Sequence, residues 1–233
     1  MPAMTTSDSS AASADSPPAG EPAEVGRPRR RFGAVALAIA VAVGLLFGYA
    51  VGWLVPRLTQ PGDDSVEAGF ARDMIVHHAQ AVEMGLLAFQ KSDNPDVRQL
   101  AVDVATAQQG EMGMMHAWLA EWGLDPTGAE PAMAWMPEDM RLPTSGGPMP
   151  GMASAEEMAK LRAASGRELD ILFLQLMIRH HLGGVHMLDA VLETSDVGEV
   201  VDAATTMKSV QDGELTNLQN ALKTLGGTPL PAN

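Results

Sequence analysis

The longest apolar run in the chain, Phe32 to Pro56, contains 25 consecutive residues without a charged side chain. As a helix it would extend ~37 Å at ~1.5 Å per residue, enough to cross a ~30 Å hydrocarbon core with some tilt. Residues 1–26 are Ser, Ala, Pro and acid with almost nothing to bury, which predicts that residues 1–31 form a disordered tail. From residue 62 onward apolar positions recur at spacings of three and four, and strand-like alternation is absent, so the rest of the chain reads as amphipathic helices.

That helical part repeats itself. Residues 67–126 align without a gap on residues 170–229 at a constant offset of 103, with 17 identities in 60 positions. Phe70, Met74, Ile75, His77, His78, Val82 and Met84 match Phe173, Met177, Ile178, His180, His181, Val185 and Met187. Further along, Gln108 and Glu111 match Gln211 and Glu214, and Gly123 and Pro126 match Gly226 and Pro229. Duplication of one unit is the simplest origin for such agreement.

Each unit predicts two helices and a short turn. Asn94-Pro95 is an N-cap followed by proline at the first helical position, Ser195 occupies the corresponding turn of the second unit, and Gly123 and Gly226-Gly227 end the second helix of each. A lone hairpin cannot bury its apolar stripe, so the two should pack face to face as an antiparallel four-helix bundle with a pseudo-two-fold axis. The expected organisation is a tail (1–31), a transmembrane helix (32–56), a bundle (62–227) interrupted by a Met-rich linker (127–153), and a short C-terminal tail (228–233). Ser154-x-x-Glu157 has the form of a capping box opening the approach to the third bundle helix, which Gly166 is expected to kink.

Charge orients this plan. The tail's four acids and four arginines cancel, so the formal net charge of -14 lies wholly beyond Phe32. Four arginines precede the apolar run and only Arg57 follows closely, which places the tail in the cytoplasm and residues 57–233 outside the cell membrane; a cleaved signal peptide is the alternative. The acidic balance argues against nucleic acid as a partner, because binding it relies on Lys and Arg. Cations are the more natural ligands. No protein partner is indicated, and a homo-oligomer stays open.

The candidate chemistry is His and Met. With no cysteine, thiolate metal sites and disulfides are excluded. On a helical wheel Met74, His77 and Met84 share a stripe with Phe70, as Met177, His180 and Met187 do with Phe173, so the first histidine of each pair points at the bundle axis. His78 and His181 fall at the edge of that face, while Glu83 and His186 point largely away. Met74 stands three and four residues before His77 and His78, and Met177 does so before His180 and His181, so thioether and imidazole can meet around one ion. Met112, Met115 and His116 repeat this kind of spacing in the second helix. Fourteen of the 16 methionines lie between Met74 and Met207; those at 133, 136, 140, 149 and 152 fall in the linker, where no core is expected for them to fill. The indole of Trp135 could cover a bound cation there.

The two Met-Ile-x-His-His segments (74–78 and 177–181), the two Gln-x-x-Glu pairs and the link Pro148-Met-Pro-Gly-Met152 resemble the domain-of-unknown-function 305 family, which includes CopM-like bacterial copper-binding proteins. The similarity covers about residues 62–227. It implies a ferritin-like helical fold in the cell envelope, with copper binding attributed to some members. The chain departs from its own repeat at His186, where the first unit has Glu83, and at Gly183-Gly184, where Gln80-Ala81 stand.

Copper also follows from the residue types. Thioether sulfur suits Cu(I), imidazole accepts either oxidation state, and neither forms a disulfide outside the cell. The expected function is a membrane-anchored envelope protein that binds copper, Cu(I) before Cu(II), for tolerance or delivery. In the competing reading His and Met only pack the core of a structural or interaction module, with Glu111 and Glu214 as bundle hydrogen-bonding residues. A di-iron oxidoreductase is disfavoured because helical Glu-x-x-His is missing: Glu111, Glu214 and Glu83 are followed at i+3 by Met114, Asn217 and Leu86.

Overall fold

A computed structural model of the chain describes residues 32–142 and 149–231. The predicted tail, the middle of the linker, Pro148 and the last two residues lie outside the described residues. Helix α1 (Phe32–Thr59) contains the apolar stretch Gly33–Val55, long and apolar enough to cross a membrane, and its residues 33–55 are exposed. Its residues up to Trp53 belong to one unit, and residues 54–233 form another.

In the second unit α2 (Val66–Lys91), α3 (Pro95–Glu121), α5 (Gly166–Thr194) and α6 (Gly198–Thr224) are the long helices. Ser65 Oγ accepts from Ala68 N at the start of α2, and Asn94 Oδ1 accepts from Asp96 N ahead of Pro95, so both starts are closed by side chains. Gly123 and Gly226 adopt left-handed φ of 71° and 65°, and the backbone N–H after each returns to Leu119 O and Leu222 O. The duplicated glycine thus ends α3 and α6 in the same way. Ser195 does not cap α6. It ends α5, and its hydroxyl donates to the buried Glu67 at 2.6 Å, tying the start of α2 to the end of α5. The other end of α2 reaches the start of α5 through Lys91, which donates to Ala164 O at 2.6 Å. The two helices therefore run antiparallel.

The segment before α5 differs from expectation. The Ser154–Glu157 capping box is present with both of its bonds, but it opens a separate short helix, α4 (Ala155–Ala163). The chain then breaks at Ala164-Ser165, and Gly166, at φ 54°, begins α5 rather than kinking it.

The linker is the larger correction. Its methionines are not exposed: Met133, Met136, Met149 and Met152 are all buried, packed in one apolar cluster with Met74, Met115, Met187 and Met207. Asp73 on α2 organises the first stretch, because one carboxylate oxygen accepts from Met133 N at 2.6 Å and from the Trp135 indole N–H at 2.8 Å. Trp135 then lies edge-on against Phe70, its centroid 5.7 Å away, instead of over a cation site. The second stretch, Met149–Ala153, is a strap. Gln80 grips Ala153 through both backbone groups, at 2.9 and 2.7 Å. Beneath it Gly183 is required, since a Cβ there would sit 2.1 Å from Pro150 O.

Candidate metal centre

The centre of the bundle is built by the first helix of each repeat. His77 on α2 and His180 on α5 are buried with ring centroids 3.8 Å apart and planes inclined by 33°. His77 Nε2–H donates to Pro150 O of the strap at 3.1 Å, and His180 Nε2–H donates to His77 O at 2.9 Å. A carbonyl only accepts, so both rings carry their proton on Nε2 and keep a lone pair on Nδ1. Neither Nδ1 has a partner. Burial pushes His77 down to about 3 and His180 well below the usual imidazole range, with the neighbouring histidines adding to the shift. Both rings are therefore neutral at physiological pH, which is the state a metal ligand needs.

His78 and His181 are fully buried rather than at an edge, because α3 and α6 cover that side. His78 Nε2 meets Glu111 Oε2 at 2.6 Å and its Nδ1 has no partner. His181 Nε2 meets Glu214 Oε2 at 3.0 Å, while its Nδ1 donates to Met177 O at 3.0 Å. Glu111 and Glu214 are thus the hydrogen-bonding residues the sequence suggested.

Four of the singled-out thioethers bracket the histidine pair. Met74 and Met187 share the apolar cluster on one side, Met84 and Met177 the cluster on the other, and all four are fully buried. Met115 joins the first cluster. Met112 is half-buried and His116 is exposed, so spacing alone misplaced that group: Met115 faces the core, and His116 is about a further 100° round the helix.

The residues fit a soft monovalent ion better than a hard divalent one. Five of the seven buried side-chain polar atoms without a partner among the described residues belong to the duplicated motifs: Nδ1 of His77, His78 and His180, Oε1 of Gln108 and Nε2 of Gln211. Such orphaned atoms are costly unless something fills the gap. Yet among the described residues no three His, Asp, Glu or Cys side chains are grouped so as to hold a metal by themselves. A metal here would need thioether donors beside imidazole, which Cu(I) accepts and zinc ordinarily does not use. An open cleft of about 430 Å³ near Arg72 and Trp135 is lined by none of the histidines. The centre itself is closed over by the strap.

Sequence reasoning missed the strap's part in this centre. Its traces were present in Gly183, which stands where the first repeat has Gln80, and in Pro150-Gly151.

The fold and centre define a class: an all-helical bundle of two repeated hairpins with a buried histidine pair where the repeats meet. The chain belongs to the family described as domain of unknown function (DUF305), whose profile matches residues 67–222. It is similar to a DUF305 protein structure from Streptomyces coelicolor, at 39% identity over 73% of this chain and 99% of that one, with a TM-score of 0.66. A DUF305 fragment from Deinococcus radiodurans is 32% identical over 68% of this chain and 96% of its own, with a TM-score of 0.56. CopM in its Cu(I)-bound form shares the fold at 22% identity, covering 72% of this chain and all of that one, with a TM-score of 0.53. No curated protein matches the chain.

Proposed function

We propose that this protein is a membrane-anchored, extracytoplasmic copper-binding protein that favours Cu(I) and serves copper tolerance or delivery. One observation carries the reading: the buried, neutral His77 and His180 each tie Nε2–H to a carbonyl and leave Nδ1 bare. Metal-ligating histidines characteristically donate their other ring N–H to such an oxygen. A role in packing alone gives no reason to leave these lone pairs orphaned. The donors would be His77, His78, His180 and His181 with Met74, Met177, Met84 and Met187; Met115 is a further thioether on the Met74 side. A copper-bound protein of the same fold supports the choice of metal. The arginines before α1 support anchoring with the bundle outside.

The test uses the full chain in detergent, titrated with Cu(I) against a colorimetric chelator. Wild type should compete for Cu(I), and replacing both His77 and His180 by alanine should abolish the tightest binding. Full affinity in the double variant would leave the structural reading of the histidines as the better one.

A further inference from the structure

The cleft of about 430 Å³ beside Trp135 is built by two neighbouring residues of α2, Arg72 and Asp73, neither of which belongs to the histidine centre. Arg72 engages four of its five N–H donors: one with Asp63 O at 2.9 Å, one with the Asp63 carboxylate, and two with Asp125 O at 3.0 and 2.8 Å. This pins the residues ahead of α2 to the turn after α3. Asp73 pins a further wall, because its Oδ2 accepts from both Met133 N and the Trp135 indole; among the described residues no hydrogen bond falls on its Oδ1. The walls are therefore fixed before anything enters, which lowers the ordering cost of binding. The bundle itself does not ask for these charges. In the second repeat Gln175 stands in place of Arg72 and makes the same tie with a neutral amide, donating to Thr228 O, the counterpart of Asp125 O, at 2.7 Å. Leu176 stands in place of Asp73.

Charge and shape select what fits. Asp63, Asp64, Asp73 and Glu130 line the cleft against the guanidinium of Arg72, an excess of three negative charges, and that guanidinium is already engaged, so an anion finds no partner there. Val76, Pro126, Pro131 and Trp135 supply apolar wall. The carboxylates do not converge on a point: among the described residues no three are grouped so as to hold a metal ion. A bare ion is therefore a poor match, and a cation carried on a hydrocarbon body is a good one. Burial raises the Asp73 carboxyl above its ordinary range, and a positive neighbour would offset that. The volume falls within the range of about 300 to 1,000 Å³ usual for small-molecule sites. We infer that this cleft is a second binding site, for a small organic ammonium with an apolar body, separate from the histidine centre and independent of copper.

The experiment titrates the metal-free full chain in detergent with phenethylammonium, with its neutral analogue 2-phenylethanol, and with calcium chloride. The Trp135 indole N–H signal is followed by NMR and the heat by calorimetry. Phenethylammonium should move the Trp135 signal saturably, whereas 2-phenylethanol and calcium should not. V76R sets a positive charge on the cleft wall at an exposed position whose counterpart on α5 is Arg179, so it should abolish binding and leave Tm unchanged. D64N/E130Q removes two exposed carboxylates that make no side-chain hydrogen bond among the described residues, and it should weaken binding about threefold to tenfold. H77A/H180A should bind the amine as wild type does. An equal shift with 2-phenylethanol would overturn the selection for charge, and saturation of the same signal by calcium alone would make the carboxylates a metal site instead. Undiminished binding in both V76R and D64N/E130Q would move the amine out of this cleft. The absence of any saturable response to phenethylammonium up to about 10 mM would overturn the site outright. None of these results bears on the copper reading.

Discussion

Replacing Gly183 by alanine tests how the strap is seated over the histidine pair. A Cβ at that position would stand 2.1 Å from Pro150 O, 2.4 Å from Pro150 C and 2.8 Å from Gly151 N, all strap backbone. No side-chain rotation relieves these contacts, so the strap must lift by about 1 Å or more to reach ordinary separation. The His77 Nε2–Pro150 O bond starts at 3.1 Å and would not survive that shift. Its loss leaves a buried N–H unsatisfied, which costs about 1 to 3 kcal/mol. Strain in the two Gln80–Ala153 bonds and partial withdrawal of Met149 and Met152 from the core add about 2 kcal/mol more. Alanine's better helix propensity returns about 1 kcal/mol. The net destabilisation is about 2 to 4 kcal/mol, or roughly 5 to 15 °C in Tm for a bundle of this size. Gly113 on α3 is the control, because it is exposed and a Cβ there meets nothing within 4 Å; G113A should stabilise by about 0.5 to 1 kcal/mol. Both are read by circular dichroism during thermal and denaturant unfolding of the full chain. Finding G183A as stable as G113A would refute the close seating of the strap.

Acid should weaken the metal-free bundle through the same histidines. Their folded pKa lies below the unfolded value of about 6.5, so the unfolded chain binds more protons and stability falls as pH drops, ending near 3 for His77. From pH 7 to pH 5 this amounts to about 2 kcal/mol for each ring at ~1.36 kcal/mol per pH unit, and denaturation of an H77L/H180L variant should show that slope flattened. Asp73 holds Met133 N and the Trp135 indole, so D73A should cost about 2 to 4 kcal/mol and D73N, which keeps an acceptor, clearly less; equal losses in a urea titration would argue against the bond. Protease added to intact cells should digest residues 62–233, and their protection until lysis would contradict the exterior placement.

What could be read from the sequence was whatever local periodicity or capping chemistry encodes. Asn94-Pro95, Gly123 and Gly226 act where they stand, and the stripe through Met74, His77 and Met84 follows from helix geometry alone. The burial of His78 and His181 did not follow, because it depends on Glu111 and Glu214, each 33 residues away on the neighbouring helix. The linker was illegible for a related reason. It is rich in Pro and Gly and has no repeat of inward positions, so nothing local marks Met133 or Met149 as core. Their burial is imposed by partners far along the chain, with 60 residues between Asp73 and Met133 and 73 between Gln80 and Ala153.

Two of the breaks in the internal symmetry follow from that linker. It crosses the bundle once, so two identical halves cannot both accommodate it. Gln80 grips Ala153 where its counterpart Gly183 makes room for Pro150; His186 donates to Met140 O where its counterpart Glu83 pairs with Arg162 on α4. Gly184, opposite Ala81, departs for another reason, since a Cβ there would meet Gln211 Oε1 at 2.6 Å. The histidines on the axis keep their identity through all of this. His77 finds its acceptor in the strap and His180 finds one in the backbone of His77, yet both end as neutral rings with Nε2–H bound and Nδ1 bare. Packing alone would be served by any residue of suitable volume in such dissimilar surroundings. Two different acceptors producing the same orphaned nitrogen is the arrangement expected if that nitrogen is what has to be kept.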